Sequence, residues 1–472
     1  MSIKYPISNI SPEEAAADKA STVSPQGKTW KVGALTYTTA GLAVLFCWLL
    51  WGDFAFSMRD RSVPNIMQLL FKRYGASLML TGLLSSSLVS GLSLIIGPIV
   101  GYHSDRTRTR WGRRIPFLIM PTPFIVASMV ALAFSPQLGV FLHQLLGSYS
   151  PGRDSSVLII LGIFWTVFEI SCITAGSVFG ALVNDVVPQA VIGRFYGLFR
   201  VVSLIAGIIF SHWLFGKSET HFLWLFLGLA ALYGGGFTIM CLNVKEGKYP
   251  PPPSEATAGA GGFLSGIRTY FKDGFGHSYY LWYFAAAVLG NLALNPFNMY
   301  SIFYGKSFGM TTDDFGQCLA ITFSGSLILA YPLGALADRF HPIRISILGL
   351  ILYAVTMAAA ILWVRDSKSF SIALIAHGIL SGTLYTSWAS LGQRLLPRLK
   401  FAEINSAGIA LSSLSMMLLA PTVGAFLDFT NQAYRYTFYA NLLITLLALG
   451  AFLVLHSKFM ALGGPKNYVA PE

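Results

Sequence analysis

From about residue 35 onward the chain alternates between long apolar stretches and short polar ones. Runs of roughly 20 apolar residues, the length that spans about 30 Å of hydrocarbon as a helix, lie near 35–58, 77–101, 115–135, 157–184, 195–216 and 220–242, and again near 278–305, 313–337, 345–364, 370–392, 402–427 and 434–457. Twelve helices are therefore predicted, six on either side of the interval 243–277. That interval contains VKEGKYPPPPSEATAGAGG, whose proline run and Ala/Gly stretch cannot build a packed core and read as a linker. The expected fold is all-α and polytopic, with an N-terminal six-helix bundle over 35–242 and a C-terminal one over 278–457. A tail over 1–34, polar and without an apolar signal-peptide core, is expected to be disordered. A second tail covers 458–472.

Composition removes the competing class. Of 472 residues, 54% are hydrophobic and only 11% charged, whereas soluble domains carry about 25% charged residues. The formal net charge of +12 reflects topology rather than nucleic-acid binding, because basic residues concentrate in the predicted inner segments, where positive charge is retained on the cytoplasmic side. Counting loops this way places both termini in the cytoplasm of a cell-membrane protein. The segment RDRSVPNIMQLLFKR, with Arg59, Arg61, Lys72 and Arg73, breaks the trend as an outer loop and is expected to be an interfacial amphipathic helix. Cys47, Cys172, Cys241 and Cys318 fall within predicted helices with no metal-ligand spacing, so they are read as packing residues; no metal and no cofactor is expected.

One polar turn stands out. GYHSDRTRTRWGRR, residues 101–114, follows the second apolar run, and its beginning recurs as GALADR at Gly334 to Arg339 after the second run of the second half, 233 residues later. A G-x-x-x-D-R turn at equivalent places in two six-helix halves points to a duplicated transporter whose repeats rock about a midplane site. Gly101 and Gly334 allow close helix approach, and Asp105 and Asp338 are placed to accept bonds from a neighbouring helix N-terminus or to pair with arginine. Asp105, Arg106, Gly112, Arg113, Arg114 and Arg339 are thus candidates for a cytoplasmic gate; for Arg108 and Arg110 a purely topogenic role competes.

GPIVGYHSDRTRTRWGRRIPF resembles the loop 2–3 motif of the major facilitator superfamily, and its R-W-G-R-R-x-P-F ending is similar to the sucrose-type carriers and the glycoside–pentoside–hexuronide:cation symporters. NDVVPQAVIGRFYGLF, residues 184–199, resembles the superfamily's helix 4–5 turn, which implies that Asp185 and Arg194 join the cytoplasmic charge network. The resemblance implies a secondary active transporter of a small sugar-like molecule with a co-transported cation. Melibiose-type members carry an aspartate pair on the second helix for sodium. LMLTGLLSSSLVSGLSLIIG contains no acid, and that departure favours protons.

Ionisable residues at membrane depth are costly and mark function. Glu169, near the middle of the fourth helix, and Arg200, in the fifth, are expected at similar depths and able to form a coupling pair, with a static structural pair as the competing reading. Asp53 on the first helix either joins the coupling or caps the outer vestibule. On the seventh helix, Asn291, Asn295 and Asn298 fall at i, i+4 and i+7, which places three carboxamides on one face beside Pro296. Amides donate and accept together, as sugar hydroxyls require; the competing role is gluing this helix to a neighbour. Trp165, Tyr385 and Trp388 are candidates for stacking on a sugar ring, or for packing. An exporter or flippase of amphipathic compounds on the same fold would want fewer midplane amides. A membrane-embedded enzyme would want a nucleophile or metal set, and no HExxH occurs.

Overall fold

The computed structural model describes residues 23–24, 27–247, 277–397 and 401–471. Among the described residues eleven helices are long and apolar enough to cross a membrane. In the first half these are α1 (Thr39–Arg73), α2 (Leu78–Arg106), α3 (Ile115–Ala133), α4 (Arg153–Val186), α5 (Gln189–Lys217) and α6 (Phe222–Asn243). After α7 (Ser278–Ser307), the second half adds α8 (Thr312–Phe340), α9 (Pro342–Trp363), α10 (Ser367–Trp388), α11 (Phe401–Phe429) and α12 (Tyr436–Ala461). α7 has the length of a span, at 30 residues, and its asparagines dilute the apolar content that the other eleven show. The polytopic, all-α architecture is the one the hydrophobic pattern predicts.

Two boundaries differ. The segment 59–73 is not a separate interfacial helix: α1 continues through it, with Pro64 inside, for 35 residues, about 52 Å at 1.5 Å per residue. Of its basic residues Arg59 turns inward, only 2% exposed, and Arg61 is half-buried, while Arg73 at the helix end stays exposed. The expected disordered tail also ends early. Strands β1 (Val23–Ser24), β2 (Gly27–Val32) and β3 (Leu35–Thr38) pair antiparallel. Val32 faces Leu35 across a two-residue turn in which Gly33 takes φ +51°, the positive-φ backbone that short hairpin turns need. The predicted linker lies for the most part outside the described residues, as does most of the 1–34 tail.

Within each half the helices pack on their own neighbours, with α6 against α1 and α3 in the first bundle and α12 against α7 and α9 in the second. The bundles meet along two seams, α2 against α11 and α5 against α8. Both seams close at one end. We call the end carrying residues 101–114 the turn end and its opposite the far end.

At the far end the first seam is drawn tight by small residues. A Cβ on Gly82 would lie 2.7 Å from the carbonyl oxygen of Ala420, and one on Gly424 would lie 2.5 Å from that of Leu78. Tyr300 of α7 donates its hydroxyl to both carbonyls, at 2.9 Å to Ala420 and 3.2 Å to Leu78. Asp428 accepts from the backbone N–H groups of Leu78 (3.0 Å) and Met79 (2.8 Å), so α11 supplies a cap to the first turn of α2. Ser77 caps Leu80 from within α2 itself. Along the second seam Phe323 of α8 packs on Gly207 of α5, and Glu219, in the α5–α6 connection, receives Lys306 and the Thr312 hydroxyl from the other bundle. Each seam contains a single π-helical turn, Leu83–Ser87 in α2 and Phe210–Leu214 in α5, the kind of irregularity that recurs at functional sites.

Toward the turn end the seams part. A Cβ on Gly101, Gly193 or Gly197 would meet nothing within 4 Å, and Ile95, Ile99, Ile328, Tyr331 and Ile409 are exposed.

Candidate functional site

Two cavities open along the α2–α7–α11 side of the interface. The inner one, about 220 Å³, is lined by Gln68, Thr81, Ser85 and Ser86 from the first bundle and by Asn295, Asn298 and Tyr300 from the second. The other, about 370 Å³ and nearer the turn end, is bounded by Ser90, Asn291, Asn405, Ser412 and Ser413. Met416 borders both. The asparagine stripe of α7 thus runs along the walls of two adjoining polar cavities, as the i, i+4, i+7 spacing predicts. The Ser85 hydroxyl is buried with no protein partner. Buried polar groups in that condition are rare, and this one lies in a wall shared with three amides.

The amides are held. Asn295 donates Nδ2 to the Asn291 carbonyl at 2.6 Å, and the Tyr385 hydroxyl donates to Asn291 Oδ1 at 3.4 Å. Tyr385 packs edge-on to Trp388, with centroids 5.7 Å apart, and Trp388 lies flat against Phe452 and beside Gly290. Tyr385 and Asn291 therefore come together as the sequence reading groups them. Trp165 stands apart: it is 1% exposed, stacks on Phe168, and commits its indole N–H to the Leu84 carbonyl within the π turn of α2.

Asn298 reaches deepest. Its Oδ1 lies 2.8 Å from His377 Nε2, His377 Nδ1 is 2.8 Å from the Tyr353 hydroxyl, and Asn441 donates Nδ2 to that hydroxyl at 2.7 Å. Asn441 Oδ1 in turn accepts the Phe297 backbone N–H at 3.1 Å, next to Pro296. His377, Tyr353 and Asn441 are 2%, 0% and 0% exposed. Sequence reasoning missed this chain because its members come from four helices and each alone resembles an ordinary core residue.

The charged residues of the first bundle are arranged differently from the expectation. Glu169 and Arg200 form no ion pair. Arg200 crosses the interface and donates Nη2 to Thr386 Oγ1 of α10 at 2.8 Å. The cation acting on Glu169 is Arg59 of α1, whose guanidinium lies 4.2 Å from the Phe56 ring centroid and 4.9 Å from that of Tyr233. Arg59 Nε and Nη1 have no hydrogen-bond partner. Arg59 escaped notice because its R-D-R-S-V-P context reads as a loop. Asp53, 1% exposed, accepts the Ser57 hydroxyl on Oδ1 at 3.3 Å and leaves Oδ2 unpartnered. Arg59 Nη2 reaches the exposed Asp60 carboxylate at 3.6 Å, whereas the two buried carboxyls, Asp53 and Glu169, have no ion-pair partner within 4 Å among the described residues, a costly state that marks function in a membrane.

At the turn end the 101–114 run is an intra-bundle clamp in this conformation. Arg113 grips Asp185 through Nε (3.0 Å) and Nη2 (2.6 Å), and Arg114 adds Nε to the same carboxylate at 3.1 Å while its Nη2 holds Asp105 at 2.5 Å. Such forked contacts are the strong ones. Arg106 lies over the Tyr102 ring at 3.7 Å. A missed residue completes the clamp: Glu246, just past α6, accepts the backbone N–H groups of Arg113, Arg114 and Ile115 at 2.9, 2.8 and 2.7 Å, capping α3. Gly112 sits at φ +111°, and a Cβ there would overlap the Glu246 side chain. Arg194 lies one turn into α5 and Arg339 near the end of α8; Gly334 and Asp338 also fall in α8, with the surroundings of both outside what the structure describes.

The family model described as MFS/sugar transport protein matches residues 52–396, which run from α1 through α10 and take in the clamp and the asparagine stripe, with α11 and α12 beyond the match. The chain belongs to that family. It is a multi-pass membrane protein of a transporter family. Among curated proteins it is 32% identical to the sucrose transport protein SUT5 of Oryza sativa subsp. indica over 74 residues, 15% of this chain and 14% of that protein, so the match spans a small part of the relative. The fold is similar to that of solved transporters. A D-xylose-proton symporter superposes with a TM-score of 0.64 at 13% identity, covering 91% of this chain and 98% of that one. A bacterial homologue of the human lysosomal transporter Spinster, inward-facing and unoccupied, gives 0.66 at 12% identity over 92% and 100%. The nucleoside transporter NupG gives 0.60 at 12% identity over 89% and 100%.

Proposed function

We propose that the protein carries a sugar or glycoside across the cell membrane by alternating access, with a proton as the co-transported cation and both termini in the cytoplasm. The observation that carries this reading is the asymmetry of the interface: capped, glycine-tight seams at the far end, parted seams at the turn end, and amide-lined cavities between them. With the turn end cytoplasmic, the molecule is open inward. Asn291, Asn295 and Asn298 meet sugar hydroxyls, with Tyr385 and Trp388 at the edge. Glu169 and Asp53 are the proton-coupling carboxyls, and Arg59 takes the partner role that the sequence suggests for Arg200. The sucrose transport protein of Oryza sativa and the D-xylose-proton symporter with a similar fold support the same direction.

Proteoliposomes holding an inward proton gradient, offered labelled mono- and disaccharides with and without sodium, test it. Gradient-driven uptake of one sugar without sodium is expected, and Glu169→Gln is expected to abolish uphill accumulation while leaving counterflow exchange. Uphill uptake intact in that variant removes Glu169 from the coupling role. Silence of folded protein across the panel removes the sugar.

A further inference from the structure

We infer that the His377–Tyr353–Asn441 chain fixes the orientation of the Asn298 carboxamide, so that its oxygen is turned to His377 and its two N–H donors are presented to the inner cavity. This deepens the reading of that cavity as a sugar site and rests on it. Chemically, Asn298 then selects a substrate oxygen that accepts.

One group in the chain has a fixed role. The Phe297 backbone N–H only donates, so the Asn441 atom 3.1 Å away is its oxygen and the other terminus of that amide is nitrogen. That nitrogen donates to the Tyr353 hydroxyl at 2.7 Å. With its oxygen accepting there, Tyr353 has a hydrogen to place, and its neighbour at 2.8 Å is His377 Nδ1. Were Nδ1 protonated, the phenolic hydrogen would be left unbonded in a fully buried site, at a cost of about 1–3 kcal/mol. The arrangement that satisfies every buried donor has Nδ1 accepting and the ring proton on Nε2. Nε2 then donates to Asn298 at 2.8 Å, and the atom receiving it is the amide oxygen. Four donors point one way, from the core of the second bundle to the cavity wall. Asn298 is exposed in that wall and its nitrogen has no protein partner.

The consequence is a specificity rule. Replacing a sugar hydroxyl by fluorine keeps an acceptor and removes the donor; replacing it by hydrogen removes both. We expect one hydroxyl position at which the deoxyfluoro analogue competes with the parent sugar within about threefold while the deoxy analogue is weaker by about tenfold or more, the cost of leaving a donor unmet. Asn298→Asp, which presents oxygen in place of the amide nitrogen, is expected to drop the fluoro analogue to the level of the deoxy one. Tyr353→Phe releases His377 Nδ1 and is expected to narrow the same gap with the rest of the site in place.

The experiment pairs this competition panel with nitrogen NMR of the full chain labelled at its eight histidines, His377→Gln assigning the signal. A neutral ring protonated on Nε2 in the wild type, shifting to a mixture in Tyr353→Phe, supports the inference. A ring protonated on Nδ1 or on both nitrogens overturns it whatever is transported. Fluoro analogues as weak as deoxy ones at every position of a carried sugar also overturn it. If no sugar competes at all, the sugar reading fails, and the ring's protonation still decides the orientation of Asn298.

Discussion

The trans cap at the far end invites a direct perturbation. Asp428 closes two backbone N–H groups of α2 from the opposite bundle, at 2.8 and 3.0 Å, and both bonds break when the far end opens. A carboxylate cap is worth about 0.5–2 kcal/mol, and a charge-assisted bond to an unpaired helix N–H lies in the upper part of that range. Asp428 is half-buried, so water replaces part of what the substitution removes. Asp428→Ala should therefore raise the far-end-open population relative to the closed one by roughly 1–2 kcal/mol, or about 5- to 30-fold. Spin labels at Tyr149 and Trp363, which lie at the far end of the two bundles and are 90% and 72% exposed, report the change as growth of a longer distance, in a background lacking Cys47. Asp366→Ala is the control. Asp366 caps α10 through Ser369 within its own bundle, so its loss weakens a helix start without touching the interface. An unchanged distance distribution in Asp428→Ala, or the same change in both variants, refutes the reasoning.

Three further outcomes follow from the same geometry. Gly82→Ala drives a methyl toward the Ala420 carbonyl and the Tyr300 hydroxyl; it should destabilise the far-end-closed form by about 1–3 kcal/mol, the usual range for overpacking, and shift the same spin-label distances, whereas Gly101→Ala, in open space, should not. Glu246→Gln weakens the cap on three N–H groups of α3 and should lower thermal stability in detergent by about 1 kcal/mol, read by tryptophan fluorescence; a melting curve identical to wild type would show the cap to be idle. For Glu219, burial raises the carboxyl's pKa, but the bonds from Lys306 and Thr312 outweigh it and hold it below its ordinary value of 4.5. A depressed carboxylate stabilises the closed far end at pH above that ordinary value and loses the contribution as pH falls through the depressed one. Far-end closure should weaken on acidification below about pH 4.5, by no more than about 1 kcal/mol for a pair this exposed, and Glu219→Gln should abolish that dependence.

Most of the fold was legible because membrane spans are written in length and hydrophobicity, both local properties. The predicted ends of the second-half spans fall within a few residues of α7 to α12. The first span failed at Arg59 because charge normally ends a membrane segment, yet here three aromatic rings and a tertiary environment accept the guanidinium. The asparagine stripe was legible for the opposite reason, since three amides on one helical face have few comfortable destinations in a bilayer. The relay behind Asn298 was not, because residues 298, 353, 377 and 441 share no spacing and meet only when four helices pack. Glu246 and Asp428 escaped for a related reason: each caps a helix other than its own, and a cap in trans has no signature in sequence distance.

The seam glycines also have a genetic meaning. Any missense change at codon 82 or codon 424 places at least a methyl group where the two bundles touch, with a backbone carbonyl within 2.7 Å of it. The atoms nearest both positions belong mainly to the facing bundle, with the Tyr300 hydroxyl at the joint, so such alleles should still yield inserted, folded protein. What they alter is the resting side of the molecule. In a population they would behave as conformational alleles, silent in expression surveys and visible only in which face of the membrane the carrier waits on.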